Sequence, residues 1–491
     1  MRFQIETNFQ GGIAPGGDFV DYGTVGNKNM ADYIANIDIT NPNYISQGPG
    51  IAAVTNGTNA GAVTTLIKGM LEAPASSLTS YGTGGAKLYK MTSDGATTPV
   101  VTVTSGGDWP HTIDKAAVTG EMGEDVAVYQ GNLYYSYNHS GSAGDIGKFN
   151  LSSTFDDDWG STVPTGAAAL ADAPHQMIVG GNDVLYFANG RYIGNYDGTT
   201  FDAQALDLPT GFVVQSIAWN NDRLWISARS SSMTISGNRV PSSVFIWDGT
   251  TETWEYEIPV NGASGALYVK NGTVYLFYQD NFITVGSKLA YVNNGGIHDL
   301  ADYGLGLPAY YQVSDYKNFL IWVGGTVGYV YAYGSAHRDL PVKLFQYMYA
   351  GSAGVGGLVN VFSIPLIAST ASTFSLNQFS GYATAGAIGT EWRSILFDIT
   401  GYGRVSKIEG VRINFEVLTS GAYVDFKLIN NKGITLYSDT ISFAKLGAVT
   451  SVFYPLNGKV AENFQMQFAY TSGSASATVK LKNARIWGSI D

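Results

Sequence analysis

Five histidines, His111, His139, His175, His298 and His337, are the first places to look for a metal ligand or a general base. No two stand at the His-x-x-x-His spacing that sets both rings on one helix face, and they fall in different repeat units or loops. A metal site would have to be assembled by the fold. The run FDDDW (Phe155–Trp159) offers Asp156 and Asp158 as oxygen ligands for calcium. It lacks the longer series of alternating oxygens and the glycine of a dedicated loop, so a solvated outer turn is the reading adopted. His337–Asp339 spells the HRD of a kinase catalytic loop without the glycine loop or Lys–Glu partners that would give it meaning. There is no Gly-x-Ser-x-Gly elbow and no phosphate loop in a strand–helix setting. Carboxylates are plentiful enough for a glycosidase pair, but sequence spacing does not place two of them across one cleft. No catalytic, cofactor-binding or metal residue is therefore assigned, no cofactor is expected, and the chain reads as a non-enzyme.

Tyrosine (32 residues) and tryptophan (9) have two readings. Aromatic rings stack on sugars, which would make a glycan-binding surface. Those at Tyr134, Tyr135, Tyr137, Trp225, Tyr275 and Trp322, however, recur at equivalent positions of a repeat, which points to packing between repeat units. Trp109, Tyr303 and Tyr310, in loops, are the better candidates for contact with a ligand.

The elements that must position these residues are strands. Hydrophobic residues make up 45% of the 491, but charged residues only 13%, about half the usual quarter, with 61 glycines in their place. That balance suits short strands and tight turns, because glycine supplies positive φ and tyrosine packs well on half-buried sheets. The hairpin VYQGNLYYSY (Val128–Tyr137) recurs as VGGNDVLYFA, AWNNDRLWIS, YVKNGTVYLF and SDYKNFLIWV. The asparagines Asn132, Asn182, Asn221, Asn271 and Asn318 mark its turns, 50, 39, 50 and 47 residues apart. A second hairpin follows most copies, as in NYDGTTFDAQAL and IWDGTTETWEYEI. Two hairpins in about 46 residues make one blade of a β-propeller. Six blades, give or take one, are expected at 50–115, 118–165, 172–210, 212–260, 262–305 and 308–350, within a propeller spanning 50–355. Residues 1–49, rich in turns, form an arm with a short strand near Tyr33–Ile39 leading into it. From 356 the period stops and alternating strands such as KIEGVRINFEVL predict a C-terminal β-sandwich or jelly roll to 491.

The net charge of −12 and the lack of a Lys/Arg run disfavour nucleic acid and anionic membrane surfaces. The apolar stretch Phe319–Gly334 is short, broken by Gly324–Gly325 and rich in β-formers, hence two buried strands and no membrane insertion. Cysteine is absent, which removes disulfides, zinc thiolates and cysteine nucleophiles. The start MRFQIETNFQGG has no apolar core of a signal peptide, so synthesis in a cytoplasm without export is expected.

The opening FQGGIAPGGDFVDYGTVG…MADYIANIDITNPNYISQGPG resembles the start of tailed-bacteriophage virion proteins that carry a β-propeller, where a glycine-rich arm leads into an Asn/Asp-rich strand and a Pro-Gly turn. EWRSILFDITGYGRVSKIEGVRINFEVLTSGAYVDFKL (Glu391–Leu428) resembles their C-terminal sandwich. The resemblance implies a structural protein of the distal tail (a nozzle, tail-tip or fibre-attachment protein) made in the host cytoplasm and residing in the virion. Its implied partners are other tail subunits, with the chain forming a homo-oligomeric tail ring, and a host-surface receptor is a further partner considered. An acidic nozzle lumen would let DNA pass without adhesion, as like charges repel. Two other functions stay open: a host-receptor or glycan-binding adhesin, and a propeller-fold polysaccharide hydrolase or lyase.

Overall fold

The computed structural model describes residues 2–9, 31–54, 63–73, 77–96, 100–115, 120–139, 142–231, 241–280, 286–304, 306–324, 329–335, 343–348, 354–370, 374–382, 390–394, 396–398, 405–470 and 477–490. The chain is all-β, a propeller followed by a sandwich. Four-stranded antiparallel sheets follow one another from Glu121 to Met348, each opening on an inner strand: Glu121–Tyr129, Met177–Val179, Phe212–Asn220, Gly262–Lys270 and Val313–Tyr316. These are blades 2 to 6. Blade 1 precedes them, with residues 68–71 bonded to Thr79–Gly84 as its innermost strand.

The inner hairpins turn where the sequence supplies residues that accept left-handed backbone. Asn221 and Asp222 have φ of 50° and 57°, Asn271 and Gly272 have 50° and 75°, and Lys317 and Asn318 have 48° and 68°. Two successive positive φ angles match the right-handed twist of the flanking strands. In the first copy the turn is Gln130–Gly131, and Asn132 opens the next strand. The repeated Asp-Gly-Thr-Thr also has a local cause. Asp197 Oδ1 accepts the N–H groups of Thr199 (2.8 Å) and Thr200 (2.7 Å), and Asp248 Oδ1 does the same for Thr250 and Thr251. Such side chains mimic a backbone turn. Phe319–Gly324 and Tyr329–Gly334 are two paired strands, as the apolar stretch predicts.

Two boundaries differ from the sequence reading. Gly354–Val361, Ile364–Thr370 and Phe374–Tyr382 are three strands of a seventh blade, so the propeller extends past 355. Its fourth, outermost strand is Pro49–Ala53, paired antiparallel with Phe374–Tyr382. The hairpin of blade 7 turns on Phe362 and Ser363 (φ 56° and 66°), without the Asn, Asp or Gly found in the earlier turns, which is why the period seems to end. Residues 1–49 are not simply a leading arm either. Arg2–Thr7 pairs with Leu481–Ile490 in one sandwich sheet, and Ala31–Ala35 pairs with Glu391–Ser394 in the other. The sandwich also holds two strands that the alternation left out, Thr435–Ser442 and Ser451–Ala461.

Each blade presents an apolar layer to the next. Tyr129, Tyr134 and Trp159 meet Phe187, Tyr196 and Phe201 between blades 2 and 3, and Phe277 and Leu289 meet Leu320 and Trp322 between blades 5 and 6. Of the recurrent tyrosines and tryptophans, Tyr134, Tyr135, Tyr137, Trp225 and Trp322 are buried packing residues, and Tyr275 is half-buried against the layer between blades 5 and 6. The layer between blades 6 and 7 runs on into the sandwich core, where Trp392, Phe426 and Phe468 lie. Side chains next to the axis tie blades together. Met177 N–H donates to Asp125 Oδ2 (2.8 Å), Ile217 N–H to Gln176 Oε1 (2.7 Å), Leu267 N–H to Ser216 Oγ (3.0 Å) and Asn360 N–H to Ser314 Oγ (2.9 Å). Asp125 and Ser216 each sit at a register shift of the inner strand, and such bulges re-aim side chains.

Candidate functional site

The inner strands of seven blades leave space along the propeller axis, and two cavities are stacked there. One, of 450 Å³, lies where the inner strands begin and is lined by Lys68, Glu124, Gln215, Arg229, Gln279 and others. The second, of 410 Å³, lies toward their far ends and is lined by Glu72, Asp125, Gln176 and Tyr268 among others. Tyr310 and Tyr311 line both and partition the axis. They lie on the one-turn helix Tyr310–Gln312, with rings edge-on and centroids 5.1 Å apart.

Glu124 and Asp125 are neighbours at the bulge of blade 2, and the bulge sends them to different cavities. Glu124 is 3% exposed. Its Oε1 accepts from Lys68 Nζ at 2.8 Å, and the Tyr310 hydroxyl donates to its carbonyl at 3.1 Å. Burial raises its pKa against the opposing pull of Lys68 and of the Tyr310 hydroxyl. Glu72 faces the second cavity and accepts from the Tyr268 hydroxyl (3.0 Å) and Ser314 Oγ (3.1 Å), bridging blade 1 to blades 5 and 6 across the axis. Loss of bulk water inside the channel raises its pKa, Asp315 adds to the shift, and the two hydroxyls oppose it. Asp125 accepts two backbone N–H groups, from Met177 and Val126, so its work is structural.

The residues singled out from the sequence are not brought together. His111 bonds to Asp157 at 3.0 Å and stacks on Phe155 with centroids 3.8 Å apart. His139 is buried at the end of its strand, and His298 stacks on Tyr291. His175 is fully buried and donates from Nδ1 to the Ala188 carbonyl at 2.8 Å. His337 and Asp339 lie outside the described residues. Among the described residues no group of three or more His, Asp or Glu could hold a metal ion. The FDDDW run is not a solvated outer turn. Asp157 accepts from His111, from the Tyr135 hydroxyl and from Asp114 N–H (3.0 Å), which ties blades 1 and 2. The loop aromatics are corrected too. Tyr303 is 3% exposed and packs on Phe277 and Trp322, and Trp109 packs on Phe149 and Phe155. Tyr310 alone of the three faces the axial space.

The sequence reading missed Glu124, Asp125, Glu72 and Arg229. Its available signal was EMGEDVAVY, where Glu124 and Asp125 interrupt an inner strand, and RLWISARS, whose second arginine, Arg229, has no acid within six residues of it.

Asp125 and His175 make the join of blades 2 and 3 pH-sensitive in opposite senses. Burial pushes Asp125 from 3.8 up to about 7, so the folded state holds its proton longer than the unfolded chain. That contribution is present at low pH and is lost as pH rises from about 4 to about 7. Burial pulls His175 from 6.5 down to about 4, so stability is lost as pH falls through that interval. Asp125→Asn is therefore expected to gain on the wild type by up to about 4 kcal/mol between pH 4 and 8. Urea melts across that range measure the difference, and a constant offset would contradict it.

No family model matches the chain, and no curated protein matches it. Solved structures do. The chain is similar to an exo-β-1,3-galactanase from Phanerochaete chrysosporium with β-1,3-galactotriose, at 10% identity and TM-score 0.32, covering 89% of this chain and 99% of that one. It is also similar to YjhT, at 13% identity and TM-score 0.36, covering 58% of this chain and 99% of that one. A third is a glycoside hydrolase family 43 arabinoxylan arabinofuranohydrolase from Bacillus subtilis with cellotetraose, at 11% identity and TM-score 0.30, covering 89% and 99%. At these identities no residue role is carried across. Two of the three are described as carbohydrate-cleaving enzymes and not as tail subunits. The expectation of a non-enzymatic structural protein of a phage tail is corrected on this finding.

Proposed function

We propose that the axial cavity of 450 Å³ binds and cleaves a polysaccharide, with Glu124 as the proton donor to the leaving glycosidic oxygen. The observation that carries this reading is a buried carboxyl of raised pKa on the wall of a cavity within the usual size range of small-molecule sites. Hydrolysis and β-elimination both need an acid at the departing oxygen, and an acid is useful only if it keeps its proton near working pH. Lys68 and Tyr310 fix Glu124, and Tyr311 offers a ring for a sugar to stack on. The test is release of new chain ends from a panel of plant, fungal and bacterial polysaccharides by the full chain. Turnover that disappears in Glu124→Gln supports the reading. Inactivity on the whole panel, or turnover indifferent to that substitution, overturns it.

A further inference from the structure

We propose that Arg229 makes the same cavity selective for a saccharide bearing a carboxylate, a uronic acid unit. This rests on reading the cavity as a saccharide site. Arg229 lies near the end of Arg223–Ser230 in blade 4 and is half-buried on the cavity wall. Among the described residues its one hydrogen bond runs from Nη1 to the Ser264 carbonyl at 3.3 Å, and no carboxylate pairs with it. The contrast with its neighbours is instructive. Lys68 has Glu124 at 2.8 Å, Arg191 has Asp207 at 3.0 Å, and Arg223 has Glu255 at 2.5 Å.

A guanidinium stays charged in a protein and presents five donors in a planar fork, of which Arg229 uses one. Withdrawing such a group from water without an anion is costly, and a ligand carboxylate would receive two parallel N–H···O bonds from the unused side of the fork. The local charge has the right sign. Lys68 and Arg229 face one carboxylate, Glu124, so the cavity is cationic within a chain of net charge −12. Gln215 and Gln279, also on its wall, supply neutral amides of the kind that bond sugar hydroxyls. A carboxylate and a sulfate ester can each take two N–H···O bonds from such a fork, so the test sets uronates directly against sulfated sugars.

The experiment is calorimetric binding of trimeric galacturonate, glucuronate and mannuronate to the full chain. Each is set against its neutral parent sugar and a sulfated counterpart. At least one uronate is expected to bind tenfold or more tighter than its neutral parent and tighter than the sulfated sugar. Arg229→Gln should lose about tenfold to a hundredfold for that uronate and stay within twofold for the neutral sugar. Arg229→Lys, which keeps the charge and loses the fork, should retain a smaller preference, and this guards against a Gln variant that fails to fold. The proposal is overturned if no uronate binds, if acidic and neutral sugars bind alike, if sulfated sugars bind tightest, or if Arg229→Gln keeps the preference. A uronate preference in a protein that cleaves nothing sinks the cleavage reading and leaves this one standing. Cleavage of neutral chains without the preference does the reverse.

Discussion

Gly357→Ala is expected to destabilise the protein by about 3 kcal/mol, against the usual effect of that substitution in a strand. Elsewhere in a strand an alanine would add about 0.5–1 kcal/mol of stability, because glycine loses more backbone freedom on folding. Here a Cβ would stand 2.1 Å from the Lys68 carbonyl oxygen and 2.8 Å from Met70 Cε. The neighbour in contact is backbone, so the inner strand of blade 7 and the innermost segment of blade 1 must move apart. Gly357 N–H already donates to the Ile67 carbonyl at 2.9 Å across this join. Gly356 repeats the constraint, with the Ile67 oxygen 2.1 Å from its added Cβ. Equilibrium urea denaturation of the full chain measures the change. A neutral or stabilising result would mean that blade 7 does not close the ring against blade 1.

Glu124→Gln is expected to slow polysaccharide cleavage by about 10²–10⁴-fold with little change in KM, since general acid catalysis contributes that much. Glutamine keeps the volume, and an amide oxygen still accepts from Lys68, but the group has no proton to give. In the wild type the rate should fall as pH rises through the raised pKa of Glu124, and the variant should lack that limb. Asp125→Asn is the control. Its neighbouring carboxylate is held by two backbone N–H groups and faces the other cavity, so it should alter stability and leave turnover within a few-fold. Equal losses in both variants would place the effect in the structure of blade 2 and remove Glu124 from the chemistry.

Much of the fold was legible because its signals are local. Asn271-Gly272 announces a left-handed turn within two residues, and Asp197 and Asp248 build their turns within four. Strand alternation from Tyr423 to Asn430 reads directly as a half-buried strand. Blade 7 was illegible for the complementary reason. Phe362 and Ser363 adopt the same left-handed angles under the force of the sheet around them, not by their own preference. Nothing near Pro49–Ala53 says that its partner lies more than three hundred residues away at Phe374–Tyr382. The metal and contact candidates failed because histidines, the Asp run and loop aromatics were judged by chemical type alone. Asp157 and Tyr303 show that the same types serve equally well as buried fasteners.

The sequence by itself determined a propeller of repeated hairpins with a terminal sandwich, since turn chemistry and side-chain alternation act over a few residues. Only the tertiary structure decided the number of blades, the split of the N-terminal segment between both domains, and the meeting of Lys68, Glu124 and Arg229 at one cavity. Those three come from blades 1, 2 and 4, and ring closure, which depends on contacts between distant segments, is what brings them together.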